Sequence, residues 1–206
     1  MLEAVYHLDW NVFNFIENYI WNPVLDVIMK LISLSGQEGI IFFIIAFVYL
    51  LTGLIKHNDK NKKIAVTIVI SLFVMTVINN LIIKDLIARV RPFNFDWTQF
   101  SWGGEFNYPD IVSKPASWSF PSGHASSAFA AGFACFCYDK QRGSLFLVFA
   151  SLMAFSRVYV HVHYFTDVLA GAIVGIIYAL IGVLITRFAF DFIDKKIFSK
   201  IESRIL

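Results

Sequence analysis

Five stretches of the chain, 39–55, 64–83, 115–138, 143–156 and 168–186, contain no Asp, Glu, Lys or Arg. A helix rises about 1.5 Å per residue and a bilayer's hydrocarbon core is about 30 Å thick, so roughly 17–25 apolar residues make a crossing. Four stretches reach that length, and the one from Gly143 does so if it continues to Tyr159. Apolar residues make up 58% of the 206 and charged residues 16%, against about 45–50% and 25% in soluble domains. So short a chain has too little interior to hide that surface from water, and the excess must face lipid. A soluble domain is excluded, and five transmembrane helices are expected.

The N-terminal stretch is less clear. Residues 11–35 are largely apolar but carry Glu17, Asp26 and Lys30, and Asn22-Pro23 reads as a cap followed by a first-turn proline. The pattern fits a kinked sixth span or an interfacial helix. Residues 1–23 contain no Lys or Arg and do contain Glu3 and Asp9, which is not a signal-peptide pattern.

Alternating spans place the connections on two sides. One side receives Lys56 to Lys63, the turn Asp139-Lys140-Gln141-Arg142 and the tail from Arg187, and so holds eleven of the seventeen Lys and Arg. The positive-inside bias puts that side, with the C-terminus, in the cytoplasm. A net charge of +2 does not suggest nucleic-acid binding, and Lys195-Lys196 reads as a headgroup anchor. Cys135 and Cys137 point in different directions at their spacing, so neither a disulfide nor a metal pair is expected. Residues 93–118 form a long outer loop bearing Phe93, Phe95, Trp97, Phe100, Trp102, Phe106, Tyr108 and Trp118. Rings favour the headgroup level, and the loop is either a packed cap or a lid over a lipid.

Three outer motifs carry charges that a membrane protein should avoid. Lys84, Arg89 and Arg91 close the span that begins at Ile64, before Pro92 ends its helical pattern. On a continuous helix Lys84 and Arg91 stack on one face and Arg89 is displaced to another. Two cations sharing a face repel unless an anion lies with them, so this spacing predicts an anion site. Ser119-Phe120-Pro121-Ser122-Gly123-His124 opens a span of small residues. Its N-terminal amides and dipole favour an anion, and Gly123 permits close backbone approach. Ser156-Arg157 and the segment to Asp167 join the last two spans. There His163 and Asp167, four apart, would share a helical face, with the carboxylate fixing the imidazole tautomer. Each motif alone is compatible with a structural role; together at one end of the bundle they describe a phosphoryl site.

These residues resemble the type 2 phosphatidic acid phosphatase (PAP2) superfamily of integral-membrane lipid phosphatases. Its motifs are Lys, six residues, Arg-Pro; Pro-Ser-Gly-His; and Ser-Arg, five residues, His, three residues, Asp. All three stand in order across 84–167. The resemblance implies an all-α polytopic bundle of six transmembrane helices, one membrane domain over 1–206, with 11–35 as the first span. It implies a metal-independent and cofactor-free lipid phosphatase acting through a phosphohistidine. In that scheme His163 is the nucleophile, Asp167 orients it and His124 is the general acid and base. Lys84, Arg91, Ser122, Gly123 and Arg157 bind the phosphate.

A metal site at His161, His163 and Asp167 lacks a further strong ligand nearby and sits among cations. A transporter would gather its charges near the midplane, often with inverted repeats. The expected partners are the membrane and a lipid phosphate in its outer leaflet, undecaprenyl diphosphate first, with no nucleic acid and no obligatory protein partner. Phosphatidylglycerophosphate, phosphatidic acid and transfer to another lipid remain alternatives.

Overall fold

Long apolar stretches satisfy their backbone groups without water by bonding internally, and the regular elements of this chain are helices. The computed structural model describes residues 2–36, 39–106 and 111–205, with 197–205 as backbone alone; no strand occurs among them. Helix α1, Leu2–Phe15, continues through a wide π-helical stretch, Ile16–Ile20. Then come α2, Pro23–Ser35, and α3, Ile40–Ile55. Helix α4, Asp59–Met75, runs through a second π-helical stretch, Thr76–Ile83, into α5, Lys84–Ile87. After the long loop follow α6, Gly123–Tyr138, α7, Lys140–Tyr159, and α8, Phe165–Ile205.

Two runs, Asp59–Asn94 and Phe165–Lys196, are long and apolar enough to cross a membrane, and a third is added if α2 and α3, bent by 59°, make one span. Residues 11–35 are not one helix. The π-helical stretch ends at an extended Trp21, and Asn22 caps α2 by accepting from the amides of Val24 and Leu25, with Pro23 at the first helical position. The 13 residues of α2 rise about 20 Å, short of a crossing. Both N-terminal helices reach the end of the bundle where α7 stops and α8 starts. Asp9 bonds Thr166, Asp26 accepts from the Tyr159 hydroxyl, and Ser33 meets Arg157.

Helix α6 sits at the centre, packed on α4, α7 and α8. Its buried positions, among them Ala125, Ser126, Ser127, Ala128, Ala130 and Ala131, are small, so neighbouring backbones approach closely without a solvophobic drive between helices. Gly171 and Gly175 of α8 face it: a Cβ on Gly171 would lie 2.7 Å from the Ser122 carbonyl oxygen, and one on Gly175 2.5 Å from that of Ser126. Polar side chains tie the same helices. Asn79 donates to Ser126 at 2.8 Å and accepts from Tyr178 at 2.6 Å, and Thr67 donates to Thr186 at 2.9 Å.

The first half of the aromatic loop packs on α1. Phe95 stacks on Tyr6 with ring centroids 4.5 Å apart, Phe106 lies 4.1 Å from Trp10, and Trp97 is buried among them. Trp118 is exposed, and Tyr108 lies outside the described residues. Cys135 and Cys137 are free thiols.

Replacing Gly175 by leucine forces α8 off α6, and overpacking of this kind costs about 1–3 kcal/mol. The expected result is a clearly lower Tm in detergent for Gly175→Leu, with little change for Ile177→Leu on the exposed face. Equal Tm values in the two variants would contradict the packing.

Candidate active site

The chain leaves the helical path at Ala88, whose φ of 48° is left-handed, and runs extended through Arg91 into Pro92. A residue before proline is held out of the helical region, which explains the extended Arg91 backbone. Lys84 and Arg91 therefore do not share a helical face. Instead, Lys84 ends the helix and Arg91 is carried across the bundle end by the turn. Its guanidinium fastens three segments, with Nε donating to the Ser117 carbonyl at 2.7 Å, Nη1 to the Val162 carbonyl at 2.7 Å and Nη2 to Ser117 Oγ at 3.1 Å.

Arg91 Nη1 also lies 3.2 Å from His163 Nε2. Arginine only donates, so Nε2 accepts and carries the lone pair, which puts the ring proton on Nδ1. Nδ1 faces Asp167 Oδ2 and Ser119 Oγ, each at 3.5 Å. The pair is not made by helical spacing, because His163 lies in the turn before α8 and Asp167 in its first turn. Asp167 Oδ2 accepts from Ser119 Oγ at 2.5 Å and from the Tyr164 amide at 3.2 Å, and Oδ1 accepts from Arg89 at 2.5 Å.

The N-terminus of α6 stands beside this pair. The Ser122 amide donates to the Asp167 carbonyl at 3.1 Å. Lys84 Nζ lies 3.9 Å from where a Cβ on Gly123 would sit, so the cation stands over the first turn of α6. Ser122 Oγ, expected at the phosphate, is turned onto its own helix, where it accepts from the Ala125 amide at 3.5 Å, and the residue is buried. His124 and Arg157 line a cavity of about 270 Å³ together with Ser33, Leu34, Val112, Ser113 and Pro115. Arg157 bonds Ser33 Oγ through Nη1, while its Nε is buried without an acceptor among the described residues. A buried donor in that condition is costly until an acceptor arrives.

Among the described residues no carboxylate forms an ion pair with Lys84, Arg91 or Arg157, whereas Arg89 pairs with both Asp167 and Asp9. Burial, and then the charges of Arg91, Arg157 and Lys84, hold the His163 imidazole well below its ordinary value near 6.5. Burial lowers His161 to about 4; its ring lies against Phe13 at 4.6 Å and Phe106 at 5.8 Å. No three His, Cys, Asp or Glu side chains among the described residues group as a metal cage.

The sequence pattern of the family described as PAP2 superfamily matches residues 61–191. The chain belongs to the PAP2 superfamily. Among PAP2 and related sequences it is similar to an undecaprenyl-diphosphatase of Sulfolobus acidocaldarius, 31% identical over 77% of this chain and 69% of that one. It also resembles the bacitracin transport permease protein BcrC of Bacillus licheniformis, 30% identical over 84% and 83%. The fold is like that of the crystal structure of a PAP2-type phosphatidylglycerolphosphate phosphatase from Bacillus subtilis, with a TM-score of 0.62, 23% identity and coverage of 87% of this chain and 84% of that one.

Sequence reasoning missed Arg89, Asp9, Ser119 and Ser33. Arg89 had a signal, a third cation at an apolar helix end, but a continuous helix turned it away from the site. Asp9 had none beyond being an acid in an apolar segment, since its partner Thr166 is 157 positions away.

The depressed histidines fix the sign of the acid response. The unfolded chain binds protons near pH 6.5 that folded His161 and His163 refuse until lower pH, so stability is present above about 6.5 and is lost as pH falls toward 4. Tm in detergent is expected to be lower at pH 5 than at pH 7.5 for the native chain, with a smaller difference in His161→Phe. An unchanged difference would contradict the assignment for His161.

Proposed function

We propose that the chain hydrolyses a phosphate from a lipid phosphate or diphosphate, with undecaprenyl diphosphate as first choice, through a phosphohistidine. The observation that carries this reading is the set of three cations, Lys84, Arg91 and Arg157, that have no carboxylate partner among the described residues and are gathered around a neutral His163. Such a set neutralises the oxygens of a transferring phosphoryl group and gains most as their charge spreads in the transition state.

His163 Nε2 attacks phosphorus in line as the bond to the leaving oxygen breaks, and His124 gives that oxygen its proton. Arg91 Nη1 passes from Nε2 to a phosphoryl oxygen, which frees the lone pair for attack. Arg157 Nε finds its acceptor in the same group. Asp167 holds the Nδ1 proton and stabilises the charge on the ring. Water, deprotonated by His124, then breaks the P–N bond and releases phosphate. The amides around Gly123 at the α6 N-terminus bind phosphoryl oxygens, with Ser122 acting on that turn as its cap.

The name of the Sulfolobus acidocaldarius relative supports the diphosphate, and the motifs themselves read phosphate and not tail. The topology belongs to the same reading. Helices α3, α4 with α5, α6, α7 and α8 cross the membrane, and α1 with α2 supplies the remaining part of a six-helix set as two short helices on the outer half. The eleven-cation side and the C-terminus are cytoplasmic, the site is extracytoplasmic, and residues 111–118 of the long loop act as a lid at the headgroup level. Transport is a second reading, favoured by the name of the Bacillus licheniformis relative.

Phosphate release by purified protein in detergent, measured on a panel of lipid mono- and diphosphates, decides between them. Turnover of undecaprenyl diphosphate above phosphatidic acid and phosphatidylglycerophosphate is expected, and no release from any lipid would leave transport. His163→Ala is expected to abolish turnover and His161→Phe to keep most of it, so equal losses would sink the nucleophile assignment. Activity is expected to survive a chelator; a loss restored by Mg²⁺ would count against the mechanism. External thiol labelling is expected at cysteines placed in 93–106 and not at 56–63, and the reverse would overturn the orientation.

A further inference from the structure

Arg89 is held by two carboxylates, and only one of them touches His163. Its Nη1 donates to Asp167 Oδ1 at 2.5 Å and to Thr166 Oγ1 at 2.8 Å, while Nη2 donates to Asp9 Oδ2 at 2.7 Å. The guanidinium carbon lies over the Tyr164 ring, 3.7 Å from its centroid, and over the Tyr6 ring at 5.0 Å, so cation–π contacts add to the ion pairs that hold it. Asp9 Oδ1 accepts from the Thr166 amide at 2.9 Å and Oδ2 from the Thr166 hydroxyl at 2.8 Å. Both carboxylate side chains are inaccessible to solvent.

The charges in this chain of contacts do not cancel. Arg89 with Asp167 alone would be a neutral pair and would offer His163 Nδ1 little net field. With Asp9 on the other edge of the guanidinium the group carries one net negative charge. The groups facing His163 from the other elements are cations or an imidazole: Lys84 of α5, Arg91 after it, Arg157 of α7 and His124 of α6. Ser119 adds a hydroxyl, and Asp9 itself is faced by Arg89 and Thr166. The negative charge that offsets a positive imidazole therefore comes from the α8 side, through a residue on α1.

We propose that Asp9 is a positioning residue for His163: by sharing Arg89 it leaves a net negative charge on the Asp167 side, which holds the Nδ1 proton and stabilises the ring as Nε2 bonds to phosphorus. The proposal rests on the phosphatase reading for its kinetic consequence. An Arg is required between the carboxylates because its fork reaches both while its charge lies over the faces of the Tyr164 and Tyr6 rings. The long reach of the arrangement also gives α1 a role in the chemistry, although none of its residues lines the cavity of His124 and Arg157.

The test uses the full chain in detergent with Asp9→Asn, which keeps an oxygen for the Thr166 amide and removes the charge. Two quantities are read: kcat and KM on the best lipid of the panel, and the titration of His163 by ¹⁵N resonance after histidine-selective labelling, which gives signals from five histidines. A fall in kcat of about tenfold, less than the roughly 10²–10⁴-fold of a group that itself transfers the proton, is expected with little change in KM. The His163 midpoint is expected to move to lower pH, because a lost negative charge disfavours the imidazolium. Asp9→Glu, which keeps the charge, is expected to hold the midpoint. A midpoint unmoved in Asp9→Asn, even with kcat reduced, would overturn the proposal and make Asp9 a tether of α1; so would an equal shift in Asp9→Glu. If Asp9→Asn does not fold, Asp9→Ser is titrated in its place with the same two outcomes. If the native chain releases phosphate from no lipid, the phosphatase reading fails while the His163 titration still decides this one.

Discussion

A carboxylate buried in an apolar bundle persists only when donors fill its lone pairs, and at Asp167 four donors come from three places in the chain. Arg89 comes from beyond α5, Ser119 from the loop before α6, and the Tyr164 amide and His163 Nδ1 from the turn between α7 and α8. Removing any one leaves an acceptor short in a medium that offers no water. The same carboxylate thus ties three segments to the start of α8 and fixes which way the imidazole of His163 faces. This end of the bundle is organised around that one group, and the proposed phosphoryl site inherits its geometry.

That geometry depends on how near α8 comes to α6. The Ser122 amide reaches the Asp167 carbonyl only because the backbone of α8 at Gly171 lies against the carbonyl of Ser122. The glycine two turns into α8 and the small residues of α6 are therefore part of the site, although none of them touches it. Asn79, Ser126 and Tyr178 repeat the arrangement one level deeper, with hydrogen bonds across three helices in place of bulky packing. In lipid, where apolar side chains gain nothing from leaving one another, close backbones and cross-helix hydrogen bonds are what hold such an end together.

Much of this was legible before any coordinates. The charge-free stretches gave the helical class, and the three motifs named the residues that converge, because local sequence sets a helix N-terminus at Ser122 and a stop before Pro92. What failed was the assumption that a helix continues until a proline ends it. The turn at Ala88 precedes the proline by four residues, so Arg91 reaches His163 by an extended strand of chain and Arg89 faces Asp167 instead of lipid. The break at Trp21 and Asn22 was visible as a cap, but not that α1 would fold back onto the first turn of α8. Contacts such as Asp9 with Thr166 join the two ends of the sequence, and no periodicity records them. Ser122 shows the opposite case, a motif residue whose hydroxyl serves the helix it starts.

The four buried or half-buried cations of this end divide into two kinds, and the division assigns their work. Arg89 is paired with a carboxylate at each Nη and lies over the Tyr164 and Tyr6 rings, so an incoming anion would have to displace a carboxylate to reach it. It is fixed in place and acts only through its partners. Among the described residues Lys84, Arg91 and Arg157 have carbonyls, hydroxyls or no acceptor where Arg89 has carboxylates. Carbonyl and hydroxyl oxygens orient a guanidinium without cancelling its charge, so these three keep their field for a ligand while their positions stay defined. Preorganisation of this kind avoids reorienting the groups when charge develops on the phosphoryl oxygens. Desolvating three such cations is costly unless an anion relieves it, and in the proposed reading that anion is a phosphate among Lys84, Arg91 and Arg157, beside the lone pair of His163.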